Sequence, residues 1–192
     1  MSMQKIGNYA DWIKDEWIEY FLSVDGSCFP RDATAEEEPG MVEAGILNRQ
    51  PGTDTVINDG EEQWGANWVC CITYKQHELP FKVEMPFDIP HEHEWFFMKL
   101  RPGMVQPIHQ DYAEYGKDYV NGVAVSNKEN VERYLIPLQD YKRGHLFLYD
   151  NQILKDYKKG DAFKHDGEDI WHGGGNMGHS TRLTFNLTVY PK

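Results

Sequence analysis

The chain is poor in cysteine, with Cys28, Cys70 and Cys71 alone among 192 residues. An odd count without regular spacing argues against a secreted disulfide framework. The adjacent pair reads as part of a half-buried strand rather than a redox site. Long apolar runs are missing too. No stretch reaches the ~20 residues of a membrane span, and Met1 to Tyr20 has no apolar signal core. A soluble, cytoplasmic protein is the expectation, in a compartment where Fe(II) is also more easily kept reduced. Basic residues are outnumbered, 19 to 31, for a formal net charge of -12. There is no long Lys/Arg cluster, so a sequence-specific nucleic-acid partner is not expected. Internal repeats, low-complexity tracts and domain linkers are also lacking.

What remains is ample for one folded domain, with 40% hydrophobic and 14% aromatic residues. The reading is a single domain over 1–192, in which 1–90 supports a β core over 91–192. Ile13, Trp17, Ile18, Phe21 and Leu22 recur at helical spacing, which predicts a helix over 8–22 capped by Asn8 or Asp11. Residues 31–40 and 48–60 read as loops, rich in Glu, Gly, Asp, Asn and Pro. From Trp64 the chain turns β-like. Strands are predicted at 68–74, 94–100, 104–111, 134–138, 144–149, 152–157, 162–165, 169–172 and 182–190. Residues 112–132 interrupt them, and Tyr112, Tyr115 and Tyr119 there line a cleft or anchor a loop. Gly173-Gly174-Gly175 is expected to break the chain. Short strands at this rhythm fit a sandwich or jelly roll, not parallel βαβ units.

The chemistry sits on that β half. Residues i and i+2 of a strand point to one side, so His109 and Asp111 converge if their strand extends that far. Imidazole plus carboxylate suits Fe(II), which must keep open positions for a cosubstrate and O2. With eight histidines and 31 acids, about one His-x-acid pair arises by chance. The pair gains weight from its place after Arg101-Pro102-Gly103 and from His172, a third ligand just before the glycine run. His91-Glu92-His93 is the rival pair, a cupin-type opening without a well-spaced further ligand. His77, His145, His165 and His179 are given surface or hydrogen-bonding roles.

The last strand alternates. Arg182, Thr184, Asn186 and Thr188 face one way, and Leu183, Phe185, Leu187 and Val189 the other. An Arg in a barrel mouth is costly unless paired. A dicarboxylate such as 2-oxoglutarate supplies the partner by a planar two-point match, with Thr184 adding a hydroxyl. An ordinary Arg–acid salt bridge is the plain alternative.

Through Arg101-Pro102-Gly103, His109-Gln110-Asp111, Tyr134-Leu135-Ile136-Pro137-Leu138, Lys159-Gly160-Asp161, His172, Asn176 and Arg182-Leu183-Thr184, the chain resembles the Fe(II)/2-oxoglutarate-dependent oxygenase superfamily. The stretch from Pro102 to Tyr190, about half the chain, is most similar to the aspartyl/asparaginyl- and prolyl-hydroxylase-like members. The resemblance implies a mainly β fold, a double-stranded β-helix (jelly roll, cupin-like) with supporting N-terminal helices. It implies iron ligation by His109, Asp111 and His172, and 2-oxoglutarate binding by Arg182, Thr184 and Tyr134. The implied reaction uses O2 to hydroxylate an unactivated C–H bond of a small-molecule or peptidyl substrate, releasing succinate and CO2. Asp111 sets the chain apart from the halogenase-like branch, where a small residue replaces the carboxylate. A metal-dependent cupin-type enzyme without 2-oxoglutarate and a non-catalytic jelly-roll binding module are the alternatives.

Overall fold

The computed structural model describes residues 3–29, 48–49, 55–58, 61–65, 71–109, 119–120, 123–124, 131–150, 152–166 and 171–190; side chains at 27–29, 48–65, 107–109, 119–124 and 166 are outside that description. The first elements are β1 (Gln4–Asn8), a short 3-10 turn (Ala10–Trp12), α1 (Asp15–Ser23), β2 (Ser27–Phe29), β3 (Asn48–Arg49), β4 (Thr55–Asn58), β5 (Glu61–Gly65) and β6 (Cys71–Lys75). Then come β7 (Glu92–Leu100), β8 (Val105–His109), β9 (Tyr119–Val120), β10 (Val123–Ala124), β11 (Glu132–Pro137) and β12 (His145–Tyr149). β13 (Gln152–Leu154), β14 (Asp161–Asp166), β15 (His172–Asn176) and β16 (Arg182–Tyr190) complete the order.

The major sheet runs β1-β14-β11-β16-β7-β6-β2 and the minor sheet β13-β12-β15-β8. All pairings are antiparallel. From β7 onward the chain shuttles between the sheets: β7 major, β8 minor, β11 major, β12 and β13 minor, β14 major, β15 minor, β16 major. That exchange is the double-stranded β-helix, and it closes two facing sheets over one interior. β1, β2 and β6 from the N-terminal half extend the major sheet at its two edges.

β16 is buried on both faces, for two reasons. Leu183, Phe185, Leu187 and Val189 face outward into the main apolar core, which Ile13, Trp17 and Phe21 cover from the helical side. Trp17 meets Phe97 edge-on at 5.9 Å, and Phe21 lies 4.6 Å from Phe97. Arg182, Thr184 and Thr188 face inward and are buried as well.

Helix α1 begins later than the apolar spacing suggested. Gln4–Asn8 is a strand, because β14 offers it an edge. Asn8 accepts the Ala10 amide at 3.1 Å and so opens the 3-10 turn, not α1. Lys14 occupies the N-cap of α1 without a side-chain bond, while Asp15 and Glu16 suit the positive end of its dipole. Leu22, assigned to the apolar face, is exposed. At the other end Lys99 Nζ, nearly sealed from solvent, donates to the Phe21 and Val24 carbonyls at 2.6 and 3.1 Å and to Asp25 Oδ1 at 2.9 Å. This places a cation on orphan C-terminal carbonyls. The Lys99 hydrogen bond, aided by Arg101, holds the Asp25 carboxyl below its ordinary range against the opposing effect of burial.

Two expected loops differ. Residues 48–60 contain β3 and β4, which pair with each other, and β4 pairs with β5. The glycine run does not end a strand but lies inside β15. Residues 31–40, 68–70, Asp111, Tyr112 and Tyr115 lie outside the described residues. No helix among the described residues is long and apolar enough to cross a membrane.

Candidate active site

The interior is read from β16 outward. Cross-strand partners of an antiparallel pair share a face, so Arg182 stands beside Leu100, Thr184 beside Met98 and Pro137, and Thr188 beside Arg133 and Glu94. From the minor sheet His145, Phe147 and Tyr149 point inward in alternation. Leu135, Phe147 and Tyr149 form an apolar cluster within it.

Arg182 is 2% exposed, among the largest fully buried side chains. Its Nη1 donates to the Leu146 carbonyl at 2.7 Å, and the guanidinium carbon lies 5.5 Å from the Phe147 ring centroid. Nε and Nη2 are buried and have no hydrogen-bond partner. No carboxylate pairs with the group among the described residues. Burial pushes its pKa below the ordinary guanidinium value, and the Tyr157 phenol acts in the opposite sense. Arginine nevertheless remains a cation in proteins. Gly174 explains how so large a group fits: a Cβ there would stand 2.8 Å from Arg182 Nη1. The central glycine of the run thus clears the space that the guanidinium fills.

The metal residues are partly in view. β15 and β8 pair so that His172 lies directly across from His109, although 63 residues separate them in the chain. That register puts both positions on one face, at one end of the minor sheet. β8 ends at His109, and Asp111 falls outside the described residues. No cluster of three or more His, Cys, Asp or Glu that could hold a metal occurs among the described residues, a set that omits Asp111 and the His109 side chain. The rival pair sits elsewhere. His93 is in register with Val189, on the outward face, and its Nδ1 lies 3.0 Å from the His91 carbonyl.

Thr184 is buried on the same face as Arg182, and its hydroxyl accepts from Asn186 Nδ2 at 3.2 Å. Tyr134 is on the other face. It is in register with Leu187, packs 5.2 Å from Phe87, and donates to Glu132 Oε2 at 2.6 Å. The structure therefore directs Tyr134 away from the cosubstrate role expected of it. The offset between β11 and β16 decides this, and alternation within either strand does not report it.

Four interior residues were missed. His165, buried on β14, lies 5.9 Å from the His172 ring and 4.7 Å from Tyr149. Arg133 is its cross-strand neighbour and donates to Thr188 Oγ1 at 3.2 Å. The alternation Asp161, Phe163, His165 would have marked His165 as inward-facing, given the sheet order. His145 and Tyr157 lie deeper. His145 Nε2 is 2.9 Å from the Ser180 carbonyl and 3.2 Å from its hydroxyl, and the Tyr157 hydroxyl is 3.4 Å from His145 Nδ1. Desolvation lowers the His145 pKa, opposed by the Ser180 bond and reinforced by the charge of Arg182. Burial raises that of Tyr157, and Arg182 opposes the rise. Asn176 fastens the same end, donating to the Leu100 and Ser180 carbonyls at 2.7 and 2.8 Å.

Strand order and interior together define a jelly-roll protein with a cation sealed inside it. No protein-family model matches the chain, and no curated protein does. Solved structures of the cupin kind do. One is the cupin domain of a transcriptional regulator from Enterobacter cloacae, at 12% identity over 64% of this chain and 99% of that one, with a TM-score of 0.41. Another is the cupin domain of Schizosaccharomyces pombe Cnp3, at 12% identity over 74% and 76%, TM-score 0.39. A third is a cupin-superfamily sugar phosphate isomerase from Silicibacter pomeroyi, at 8% identity over 67% and 65%, TM-score 0.42. Likenesses this distant say nothing of what this chain binds or does.

Proposed function

We propose that this protein is an Fe(II)- and 2-oxoglutarate-dependent oxygenase that hydroxylates an unactivated C–H bond. The observation that carries this reading is the state of Arg182, a buried guanidinium with Nε and Nη2 open. An uncompensated buried charge costs several kcal/mol, which a bound anion offsets. A carboxylate meets two parallel N–H groups by a planar two-point match. Nη1 lies against Gly174, two residues along β15 from His172. Two strand residues span roughly 7 Å, comparable to a five-carbon dicarboxylic acid. One carboxylate on Arg182 would leave the other end beside the proposed metal.

His109, Asp111 and His172 would hold the iron. Two imidazoles and one carboxylate are a donor set that suits Fe(II) and leaves positions open. When bound, the iron activates O2, so that one oxygen atom enters the substrate as a hydroxyl and the other enters succinate as 2-oxoglutarate loses CO2. The chain's own residues orient and seal. Arg182 fixes the distal carboxylate, with the Thr184 hydroxyl beside it. Leu135, Phe147 and Tyr149 keep water from the interior. The wider end, where His165, Arg133 and Thr188 stand, would receive a small-molecule or peptidyl substrate.

The test is succinate release that requires both Fe(II) and 2-oxoglutarate, measured first alone and then across a metabolite and peptide panel. His172→Ala is expected to abolish it, because two remaining ligands hold iron poorly; robust turnover by that variant would count against the assignment. Activity and metal binding that survive Arg182→Ala would favour a cupin-type enzyme needing no 2-oxoglutarate.

A further inference from the structure

The groups behind Arg182 have an order that the hydrogen-bond chemistry fixes. The Ser180 carbonyl can only accept, so His145 Nε2, 2.9 Å away, must carry a hydrogen. A neutral imidazole protonated there presents Nδ1 as an acceptor. The Tyr157 hydroxyl, 3.4 Å from Nδ1, then turns its proton toward His145 and its lone pairs elsewhere. Arg182 is the cation in its neighbourhood, and each group is shifted by the other. Tyr157 and His145 are both nearly sealed from solvent, at 4% and 1% exposed, so water does not compete for these positions.

We infer that Tyr157 and His145 are positioning residues for Arg182: the imidazole takes the phenolic proton, the phenolic oxygen faces the guanidinium, and the guanidinium is held ready for a carboxylate. The inference rests on the proposed 2-oxoglutarate reading and adds to it the device that keeps an unpaired cation in place before the anion arrives. The charged and titratable groups facing His145 are Arg182 from β16, Tyr157 from the segment between β13 and β14, and Lys142 from the turn before β12. All three are cationic or neutral. Protonating His145 places a hydrogen on Nδ1, releases the Tyr157 proton toward the anion, and adds positive charge nearby. Both changes favour a bound dianion.

The experiment is calorimetric titration of 2-oxoglutarate into protein loaded with Mn(II), which holds the cosubstrate without turnover, for wild type, Tyr157→Phe and His145→Gln. Tyr157→Phe keeps the ring and removes one oxygen; affinity is expected to fall about tenfold, with Mn(II) affinity unchanged. In turnover it should raise the 2-oxoglutarate KM and leave kcat at saturation near wild type. Between pH about 7.5 and about 5.5, wild-type affinity is expected to rise about threefold relative to His145→Gln, which has no proton to gain. Thermal melts of each variant confirm folding. Wild-type affinity in Tyr157→Phe, or parallel pH profiles for wild type and His145→Gln, overturns the inference and leaves the oxygenase reading standing. Failure of the wild type to bind 2-oxoglutarate overturns both.

Discussion

A methyl group added at Gly174 would meet Arg182 Nη1 at 2.8 Å, the Leu146 carbonyl oxygen at 3.4 Å and Leu100 Cδ1 at 3.8 Å. Separations under 3.0 Å do not persist, so the guanidinium must retreat by about 0.7 Å to reach an ordinary contact. Its 2.7 Å bond to Leu146 then stretches toward 3.4 Å and is largely lost. The surroundings are close-packed, and overpacking of this size costs about 1–3 kcal/mol. The displaced group no longer presents Nε and Nη2 as before. A shift approaching 1 Å in a positioning group weakens binding at least about tenfold, or ~1.4 kcal/mol. Gly175→Ala is the internal control. Its methyl meets Val105 at 3.7 and 3.9 Å and the Met104 carbonyl at 4.0 Å, all ordinary contacts, and neither glycine has a positive φ. Gly175→Ala should fall within about 1 kcal/mol of wild type. Urea denaturation reads the stabilities and calorimetry the 2-oxoglutarate affinities. If Gly174→Ala matches Gly175→Ala in both, the argument that glycine makes room for the clamp is refuted.

Arg182→Met should raise the melting temperature of the ligand-free protein, by about 1–3 kcal/mol of stability, because it removes an unpaired buried charge. The same change should eliminate 2-oxoglutarate binding; a less stable variant that still binds would contradict both halves. Lys99→Met strips the Phe21 and Val24 carbonyls of their donor and should cost about 3 kcal/mol in denaturant melts; a neutral result would show that water replaces it. The depressed pKa of His145 means that below its ordinary value of 6.5 the unfolded chain binds a proton that the folded chain refuses. Stability from this group is thus complete above 6.5 and declines as pH falls toward the folded pKa. His145→Gln should flatten that part of the stability profile measured by pH-dependent melts.

Much of the β half was legible because alternation is a local property. β16 runs over the residues expected of it, with its polar and apolar faces as the pattern assigns them. The N-terminal half was read less well. Gln4–Asn8 carries no strong strand pattern and becomes a strand because β14 presents an unpaired edge. The expected loop around Asn48 likewise contains paired strands. Gly173-Gly174-Gly175 looked like a break because glycine lacks strand propensity. It is strand in β15 because neighbours on both sides supply its hydrogen bonds.

The order of residues determined by itself that Arg182 and Thr184 share a face, that the chain builds short antiparallel strands, and that His109 and His172 are chemically fit for one metal. Only the tertiary structure brought His109 opposite His172, sent Tyr134 outward, and set His145 and Tyr157 behind a guanidinium whose space Gly174 leaves open. Faces within a strand follow from the two-residue period of the backbone. Which strands meet, in what register and with what room between them, follows from packing distant segments together, and no local pattern encodes that.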